Sequence, residues 1–477
     1  MKIDNKIMNN IRLINFRNIA DSGEIELKPL TILVGKNGSG KSSFLRLFPL
    51  LQQSMEVAKK GPFLWYNEKG VDFGDFNSTV REKSDSLQVG FSILHGRKSS
   101  HMFDIHILMT VVEDREESIN SEKGISYDRV SKIELRYLGN QVIVDFSTSS
   151  EAKVEINGSS VYEAKKNEQP FGLFPNISID GGKDIPGFRE LIDSLAENGR
   201  YKYRDYIDFV DVSFEEFQKL VSGKNLSYNI KELYCNIIYN YLDRLLMNIQ
   251  MQIRIEMDNV TYIGPFREAP KRYYRFQNLA THKIDSMGSN MAVYVNAMHT
   301  DKIKAFNGIL EEKYKFQLEV ESHFGQISLF IKKDKNDKTN IVDNGFGYSQ
   351  LMPVLLALHT FNTTNEHTVF PFRSDFQMLC IEQPELHLHP AMQRKIGSSL
   401  ADSTKHIVAE SQQKYILLET HSRSLIDSIG EAIASGDISS DNVAVYLFES
   451  DNQIAKIRST KFDEDGYLTN WPLGFLD

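Results

Sequence analysis

The sequence predicts an α/β fold in which elements from both ends of the chain form one phosphate-binding site. A near-continuous apolar strand, Leu30 to Val34, leads into the glycine-rich loop GKNGSGKS and then into a predicted helix from Ser42 to about Val57. A second apolar strand, Met378 to Glu382, ends in acidic residues near the other end of the chain. Strands that alternate with helices are typical of α/β folds, and a strand, a glycine loop and a helix in that order favour phosphate binding.

Length and composition are those of an ordinary globular protein. The chain has 477 residues, of which 41% are hydrophobic and 25% charged, enough for two or three structural units. A formal net charge of −9 argues against a basic surface for nucleic acid over the whole chain and leaves room only for a local patch.

The cellular compartment is predicted from cysteine use and hydropathy. Cys235 and Cys380 are too few for a disulfide framework and have no zinc-ligand spacing, which suits a reducing environment. No apolar run is long enough to span a membrane, and the N-terminus has no apolar core of signal-peptide type. We therefore predict a cytoplasmic protein without a membrane contact.

Hydrophobic periodicity divides the chain into three predicted regions. Residues 1–180 contain the glycine-rich loop and a β-rich insert, in which runs such as LQVGFSIL and QVIVDFS alternate as in a β-meander. Residues 181–260 change to a helical period and form a helical insertion. Residues 261–477 return to strands and helices and carry the acidic strand and a short tail.

The glycine-rich loop matches the phosphate-loop pattern G-x-x-x-x-G-K-[ST] at every position and stands in the strand-to-helix context that the pattern requires. Its backbone N–H groups are expected to surround phosphate oxygens, Lys41 to neutralise them and the Ser42 hydroxyl to bind Mg²⁺. A structural glycine turn before a core helix is the disfavoured alternative. The predicted ATP-binding residues of this segment are Gly35, Asn37, Gly38, Ser39, Gly40, Lys41, Ser42 and Ser43.

A second glycine loop, DNGFGYSQ, precedes the acidic strand. Gly345 and Gly347 permit tight backbone turns, and Ser349 is predicted to stand near the start of a helix, from about Ser349 to Phe361. A hydroxyl at a helix N-terminus suits a phosphate, whereas an ordinary helix cap after a hairpin is the structural alternative.

The order of these motifs resembles that of a known group of ATPases. The segments NFRNI, GKNGSGKS, the glycine–serine loop, IEQPELHLHP and ETHS resemble the ABC-type ATPases of the RecF, SMC and OLD-like group. The chain is most similar to the compact bacterial AAA ATPases of that group, including those of phage-defence operons such as Septu. The resemblance covers both ends and little of residues 90–255. It implies an ABC-type P-loop ATPase head, with a mixed central sheet and helices, that uses ATP and Mg²⁺.

The resemblance also implies roles for individual residues. Phe16, Arg17 and Asn18 would lie near the nucleotide, and either Gln52 or Gln53 would be the glutamine that contacts the metal.

Two further residues would contact or sense the phosphates of bound ATP. Ser349 would be the signature serine that reaches the ATP of the other subunit, so each site would be built by two chains of a homodimer, possibly within a higher oligomer. His421 would sense the γ-phosphate, with a capping or surface histidine as the alternative.

The acidic segment departs from the family pattern, which ends in Asp-Glu. Glu382 would take the first role and hold Mg²⁺ through water, but Gln383 stands where a general base is expected, and an amide cannot accept a proton as a base. Gln383 could position water, and Glu385 could supply the missing carboxylate. We therefore expect slow hydrolysis. His387 and His389 offer an H-x-H metal site as a weaker alternative to a loop after the strand.

The sequence and the resemblance suggest three functions. The favoured one is a regulatory ATPase that works with a separate effector, a nuclease, in antiviral defence. A RecF-like ATPase of DNA repair or DNA ends is the alternative. An OLD-like nuclease is disfavoured, because the 56 residues after His421 (422–477) leave no room for its nuclease domain. No heptad pattern persists between residues 187 and 254, which counts against a long coiled coil.

Direct DNA binding depends on one basic cluster in the segment REAPKRYYRF. Its cations stand among aromatic residues and could face phosphate or a partner protein. A salt-bridged surface segment is the alternative. The cluster consists of Arg267, Lys271, Arg272 and Arg275, with Tyr273 and Tyr274 before Arg275 and Phe276 directly after it.

Overall fold

A computed structural model of the chain describes residues 8–95, 103–116, 125–147, 150–158, 160–167, 172–179, 187–195, 210–224, 226–276, 283–334, 337–363, 376–410, 412–451 and 454–471. The sequence EDREESINSEKG (113–124) predicts a polar turn, but residues 113–116 belong to a strand. The rest of that turn (117–124), the boundary at 180–181 and the last six residues of the tail lie outside this part of the chain. Two compact units are distinguished. Unit 1 contains residues 1–26, 51–66 and 73–255, and unit 2 contains residues 27–50, 67–72 and 256–477.

The described residues form twenty strands. They are β1 (Met8–Phe16), β2 (Ile19–Asp21), β3 (Ile25–Glu26), β4 (Leu30–Gly35), β5 (Ser86–His95), β6 (Phe103–Glu116), β7 (Ile125–Tyr137), β8 (Asn140–Asp145), β9 (Glu151–Ile156), β10 (Ser160–Asn167), β11 (Asn176–Ser178), β12 (Val260–Ile263), β13 (Tyr274–Arg275), β14 (Gln317–His323), β15 (Gln326–Asp334), β16 (Asp337–Asn340), β17 (Gln377–Glu382), β18 (Lys414–Thr420), β19 (Val443–Asp451) and β20 (Ile454–Thr460).

Eleven α-helices occur in the same part of the chain. They are α1 (Lys41–Leu45), α2 (Leu47–Glu56), α3 (Phe76–Thr79), α4 (Phe188–Leu195), α5 (Phe214–Val221), α6 (Ile230–Met257), α7 (Met291–Ala297), α8 (Thr300–Ile309), α9 (Phe346–Thr363), α10 (Pro390–Ala409) and α11 (Arg423–Ala434). None of the described helices is both long and apolar enough to cross a membrane.

Unit 1 is built on the predicted β-meander. Its strands lie in the order β11-β10-β9-β8-β7-β6-β5-β1-β2, and every neighbouring pair is antiparallel. Along β9 the side chains alternate strictly between exposed and buried, which is the pattern of a sheet with one covered face.

The long helix α6 covers part of that sheet. Tyr234 is almost fully buried and accepts a hydrogen bond of 2.9 Å from Asn140 at the start of β8. The ring of Tyr239 stacks on Tyr162 of β10, with 4.3 Å between the ring centroids. The described part of the stretch predicted to be helical contains α4, α5 and α6, and α6 packs on the meander.

Unit 2 contains a mixed sheet in the order β20-β19-β4-β18-β17-β12. Neighbouring strands from β19 to β12 are parallel, and β20 returns antiparallel to β19. All residues of β4 and β18 are buried, as expected for parallel strands covered on both faces. The predicted α/β class, with a mixed sheet, helices and an inserted β-meander, is confirmed.

Two predicted helix boundaries are wrong. The helix after the phosphate loop was expected to run from Ser42 to about Val57, but it is divided into α1 and α2 with Arg46 between them. The helix that carries Ser349 begins at Phe346, because the turn of Ile341–Asn344 ends at Gly345, whose φ of 76° lets the chain enter the helix there. The division at residues 180 and 260 stays a prediction.

Candidate nucleotide site

The site is assembled at one edge of the unit 2 sheet. The parallel strands β4, β17 and β18 all end there, so the phosphate loop, Glu382 and Glu419 meet although they are far apart in sequence. Glu382 and Glu419 are paired directly across β17 and β18. Functional groups commonly collect at the carboxyl ends of parallel strands.

The phosphate loop has the predicted strand–loop–helix setting. A Cβ added at Gly35 would lie 2.1 Å from the Phe448 carbonyl oxygen, so only glycine fits against β19. Gly38 and Gly40 have φ values of 74° and 104°, which glycine adopts without strain. Three of the predicted phosphate-binding glycines are thus required by the backbone itself.

Lys41 is folded back onto its own loop. Its Nζ donates hydrogen bonds of 2.9 Å to the carbonyl oxygens of Gly35 and Lys36 and lies 3.8 Å from Glu419 Oε1. Burial lowers the pKa of Lys41. The ammonium group is held at the loop where phosphate oxygens are expected.

Ser42 makes a contact that the sequence did not predict. Its hydroxyl donates a 3.0 Å hydrogen bond to Glu419 Oε1 at the end of β18. Glu419 is 1% exposed, and its Oε2 has no hydrogen-bond partner among the described residues. Burial and the nearby charge of Glu382 raise the pKa of Glu419 to about 7.

Glu382, the predicted metal carboxylate, lies in a different environment. Both of its oxygens accept from Arg46, over 2.6 and 2.8 Å, and Oε1 also accepts a 2.8 Å hydrogen bond from the Tyr262 hydroxyl. Its backbone carbonyl accepts from Arg267 over 2.9 Å. Glu382 is 1% exposed, and its carboxylate accepts three hydrogen bonds from protein side chains, a constraint that the sequence pattern did not indicate.

Gln383 leaves the strand with a left-handed backbone, φ 43°, and its N–H donates to the Glu419 carbonyl oxygen over 2.8 Å. Glu385 is 8% exposed, and its Oε1 accepts a 2.6 Å hydrogen bond from the His421 backbone N–H. Burial raises the pKa of Glu385. The structure therefore brings Glu385 and His421 together, as the predicted site requires, while their chemical roles stay predictions.

The surroundings of the His421 side chain favour the uncharged imidazole. Burial, together with the charge of Lys41, lowers its pKa to about 4, so the imidazole is uncharged near neutral pH. Its Nε2 is buried without a hydrogen-bond partner among the described residues. A neutral imidazole can donate or accept at this nitrogen, according to its tautomer.

The residues present fit a nucleotide with a divalent cation. Buried polar atoms are normally satisfied, yet four at this strand edge or in its loops have no partner among the described residues. The loop glycines, the Lys41 ammonium and the Ser42 hydroxyl are the groups that a phosphate–metal pair requires. The unsatisfied atoms are Ser39 Oγ, Glu385 Oε2, Glu419 Oε2 and His421 Nε2.

Ser349 is not exposed at the tip of its loop. It is the fourth residue of α9 and 2% exposed, and its hydroxyl donates to the Phe346 carbonyl oxygen over 2.8 Å. Phe346 at the helix start is 64% exposed. The contact of Ser349 with a second subunit's nucleotide stays a prediction.

The residues expected to contact the nucleotide from the N-terminal region belong to unit 1. Phe16 is fully buried and packs edge-on against Phe73, while the Arg17 guanidinium lies 4.7 Å from the centre of the same ring. Gln53 donates its side-chain amide to the Leu64 carbonyl oxygen over 2.5 Å. The nucleotide contacts of Arg17 and Asn18, and of Gln52 or Gln53, stay predictions.

The predicted basic cluster is largely neutralised. Arg267 is 6% exposed and bonded to backbone oxygens of the acidic segment, and burial lowers its pKa to about 10. Lys271 pairs with Glu268 and Arg272 with Asp343. These contacts favour the salt-bridged alternative over a free phosphate-binding surface.

Of the two histidines after the acidic strand, one caps a helix and the other is exposed. His389 caps α10, and its Nδ1 accepts a 3.2 Å hydrogen bond from the Ala391 N–H. His387 is exposed, with a φ of 61°. Within the described ranges, no group of three or more His, Cys, Asp or Glu side chains is placed to hold a metal ion by itself.

The fold and this site define a P-loop nucleotide-binding protein. The sequence profile of the AAA ATPase domain family (AAA_15) matches residues 6–426, and the chain belongs to that family. This membership confirms the predicted ATPase class at the level of the family, and such ATPases use a nucleotide, usually with Mg²⁺.

No curated protein matches the chain in sequence. Similar solved structures include an SMC head bound to the C-winged helix domain of ScpA, at 10% identity over 96% of this chain and 98% of that chain, with a TM-score of 0.39. The SMC head domain from Thermotoga maritima matches at 11% identity, over 95% and 98%, with a TM-score of 0.36. An SMC head with an extended coiled coil, bound to the C-terminal domain of ScpA derived from Pyrococcus furiosus, matches at 11%, over 95% and 96%, with a TM-score of 0.38. At these scores the likenesses carry no argument about this chain.

Proposed function

We propose that this protein is an ABC-type ATPase that hydrolyses ATP slowly, closes as a homodimer on ATP and regulates a separate effector, a nuclease, in antiviral defence in the cytoplasm. One observation carries the ATPase part of the proposal. The complete phosphate loop meets Glu382, Glu419 and the pair of Glu385 and His421 at a single sheet edge.

Each group at this edge has a role that follows from its chemistry. Lys41 and the loop N–H groups bind and orient the phosphates, and the Ser42 hydroxyl holds the cation. Mg²⁺, when bound, neutralises charge that develops on the transferred phosphoryl group. The neutral His421 side chain is available to the terminal phosphate, and the buried setting excludes bulk water.

Slow turnover follows from the amide at Gln383. A glutamine side chain can hold water by donating or accepting hydrogen bonds, but it takes no proton. Glu385, the next carboxylate along the chain, is buried and has one oxygen that accepts from the His421 N–H. An ATP-bound state that persists suits a protein that signals through that state.

ATP binding is tested with Lys41→Ala, because removal of the ammonium leaves the phosphate charge uncompensated in the loop. We expect the affinity for ATP to fall by about a hundredfold or more, on the order of 3 kcal/mol. Lys36→Ala is the matched control, since the exposed Lys36 takes part in the loop through its backbone carbonyl. Near wild-type ATP affinity of Lys41→Ala in calorimetry would show that the loop is structural.

Dimer closure is supported by the motif inventory, since the sequence has one phosphate loop and one glycine–serine loop and the resemblance implies sites built from one of each. Ser349 is buried, so its replacement by arginine would disturb the fold. The exposed Phe346 at the start of the same helix gives a cleaner test.

Sedimentation of the wild-type protein with ATP and Mg²⁺ should show a dimer. Phe346→Arg should remain monomeric while it still binds ATP, because its bulk and charge stand at the proposed interface. Tyr467→Arg, at another exposed aromatic residue of unit 2, is the control and should dimerise normally. A monomeric wild-type protein that hydrolyses ATP at full rate contradicts the dimer.

The regulatory role predicts that the protein alone does not cut DNA with ATP and Mg²⁺. The RecF-like alternative required a basic surface, and the pairing of Lys271 and Arg272 with carboxylates weakens it. Cleavage of DNA by the purified wild-type protein, lost in Lys41→Ala, would favour the nuclease alternative. Salt-dependent DNA binding by the same protein would favour the RecF-like one.

A further inference from the structure

Arg267 is a buried arginine that contacts the backbone at the point where β17 ends. It follows β12, which is parallel to β17 and pairs with it up to Ile263 and Ile381. Arg267 is 6% exposed. Its Nη2 donates to the carbonyl oxygen of Glu382 over 2.9 Å and, in a longer hydrogen bond of 3.4 Å, to that of Gln383. The guanidinium therefore holds the backbone of the two residues that the site places nearest to hydrolysis.

We propose that Arg267 is a positioning residue for ATP hydrolysis, which fixes the peptide unit between Glu382 and Gln383 so that the Gln383 side chain orients the attacking water. The assignment rests on the proposed ATPase function and adds a residue to its hydrolytic part. Arg267 acts through Gln383 and leaves Glu382 in its role at the cation.

The peptide unit between Glu382 and Gln383 is held from both sides. Its carbonyl oxygen accepts from Arg267, and its N–H donates to the Glu419 carbonyl oxygen over 2.8 Å. Because a peptide unit is planar, two hydrogen bonds at its opposite ends fix its orientation. They hold Gln383 at a φ of 43°, which is uncommon for a residue other than glycine and has to be imposed by the surroundings. The direction in which the Gln383 side chain leaves the backbone thus depends on Arg267.

The guanidinium suits this task by its charge and its shape. Arginine presents five N–H donors in a rigid planar fork. Arg267 directs Nη2 to two carbonyl oxygens, whereas Nε and Nη1 are buried without a partner among the described residues. Burial lowers its pKa to about 10, so it remains charged at neutral pH, and a charged donor binds a carbonyl oxygen more strongly than a neutral one. These contacts serve the direction of the backbone rather than an ion pair.

The backbone of Arg267 is itself held in place. Its carbonyl oxygen accepts a 3.4 Å hydrogen bond from the side-chain amide of Gln350 in α9, and Gln350 is 4% exposed. The next residue, Glu268, donates its N–H to the Met287 carbonyl oxygen over 2.9 Å. A group that positions another is effective when its own conformation is fixed by neighbouring groups. Arg267 meets this condition.

The first experiment measures single-turnover hydrolysis and ATP affinity of the full chain with Mg²⁺. Arg267→Lys keeps the charge but loses the fork, so it can hold one carbonyl oxygen with a less definite direction. We expect the rate to fall by about tenfold or more while the dissociation constant for ATP changes by less than about threefold, because a misplaced group weakens the transition state more than nucleotide binding. Arg267→Gln, which also lacks the charge, should be slower still.

A double-mutant cycle with Gln383→Ala separates positioning from support of the fold. If Arg267 acts through Gln383, the Arg267→Lys change should slow hydrolysis by less than about twofold once the Gln383 amide is absent. A merely structural role would give the same factor in both backgrounds. Arg272→Lys is the matched control, since this exposed arginine of the same segment pairs with Asp343, and it should hydrolyse ATP at the wild-type rate.

The outcomes distinguish this assignment from the proposed function. An Arg267→Lys protein as fast as the wild type, a loss of ATP affinity as large as the loss of rate, or equal factors in the two backgrounds overturns the role of Arg267 while the ATPase proposal stands. Failure of both Arg267→Lys and Arg267→Gln to fold, followed by circular dichroism, would make the residue structural and overturns the role as well. A folded wild-type protein that does not bind or hydrolyse ATP overturns the proposed function and this role with it.

Discussion

Glu382 near the end of β17 and Glu419 near the end of β18 have different hydrogen-bond partners, although the two residues are adjacent in the sheet and equally buried. Glu382 at the end of β17 accepts three hydrogen bonds, two from a guanidinium and one from a phenol. Glu419 at the end of β18 has one neutral hydrogen-bond donor and one unsatisfied oxygen. Burial of a carboxylate is therefore compatible with different surroundings. A guanidinium compensates the buried charge of Glu382, whereas the unsatisfied oxygen of Glu419 is available to a ligand.

The largest change in stability should come from Arg46→Met, which leaves the buried Glu382 carboxylate without its cation. We expect the free energy of unfolding to fall by about 3 kcal/mol, since the loss of one partner of a buried ion pair exposes the other to the full desolvation cost. Urea denaturation followed by tryptophan fluorescence measures it.

Arg272→Met is the matched control in the same unit. It removes an exposed ion pair with Asp343, whose two side chains are 62% and 42% exposed, and should change stability far less than Arg46→Met does, because solvent screens this pair. Equal losses in the two variants would mean that the buried pair of Arg46 and Glu382 stabilises the fold no more than an exposed pair and would remove the contrast between the strand ends.

We expect a smaller change in stability when the pH changes the protonation of Glu419. This change is measured in EDTA. Its pKa is raised to about 7 in the folded protein, so the folded state holds this proton more tightly than the unfolded chain. The stabilisation from this group is complete below the unfolded pKa and is lost as the pH rises through about 7. Relative to the wild type, Glu419→Gln should therefore gain about 1 kcal/mol or more between about pH 5 and about pH 8.

Thermal or urea unfolding of both proteins across that pH range measures the difference. Glu382→Gln is the comparison, because its carboxylate is paired with Arg46. A stability difference between wild type and Glu419→Gln that does not change with pH would show that Glu419 is ionised in both states.

The smallest effect should come from Gln383→Glu, at the first residue beyond β17. A carboxylate there can act as a general base, which is worth roughly 10²- to 10⁴-fold in favourable geometry. We expect a gain of only about tenfold, since Gln383 has a left-handed backbone fixed by its N–H bond to the Glu419 carbonyl. Single-turnover hydrolysis of ATP gives the rate.

Glu385→Gln distinguishes the remaining cases. Loss of residual hydrolysis with ATP still bound would assign the base to Glu385. A Gln383→Glu protein no faster than the wild type would refute the amide as a brake on hydrolysis and leave the base to Glu385 or to the facing subunit.

Much of the fold could be predicted from local patterns. The alternation in QVIVDFS and AKVEING marks β8 and β9, and the apolar run from Leu30 marks β4, because period and burial are coupled within a strand. Helix ends were predicted less well. The start of α9 depends on the positive φ of Gly345, and the break at Arg46 coincides with its long-range pairing to Glu382.

Two site residues that the sequence analysis missed have weak local signals. Glu419 is the next-to-last residue of the largely apolar strand that contains YILLET, two positions before the predicted His421, and an acidic residue in such a strand is a recognisable candidate. Tyr262 has no comparable signal, because an aromatic residue in a short apolar strand normally belongs to the core.

By itself the sequence determined the phosphate loop, the α/β alternation and the membership in an ATPase family, since each depends on residues that are close together or on a pattern repeated along the chain. Only the tertiary structure decided which groups each buried carboxylate contacts. Arg46 and Glu382 are 336 positions apart, and Ser42 and Glu419 are 377 apart. Their pairing depends on the order and register of β4, β18 and β17, which arise from packing of the whole sheet and are not encoded in any local segment.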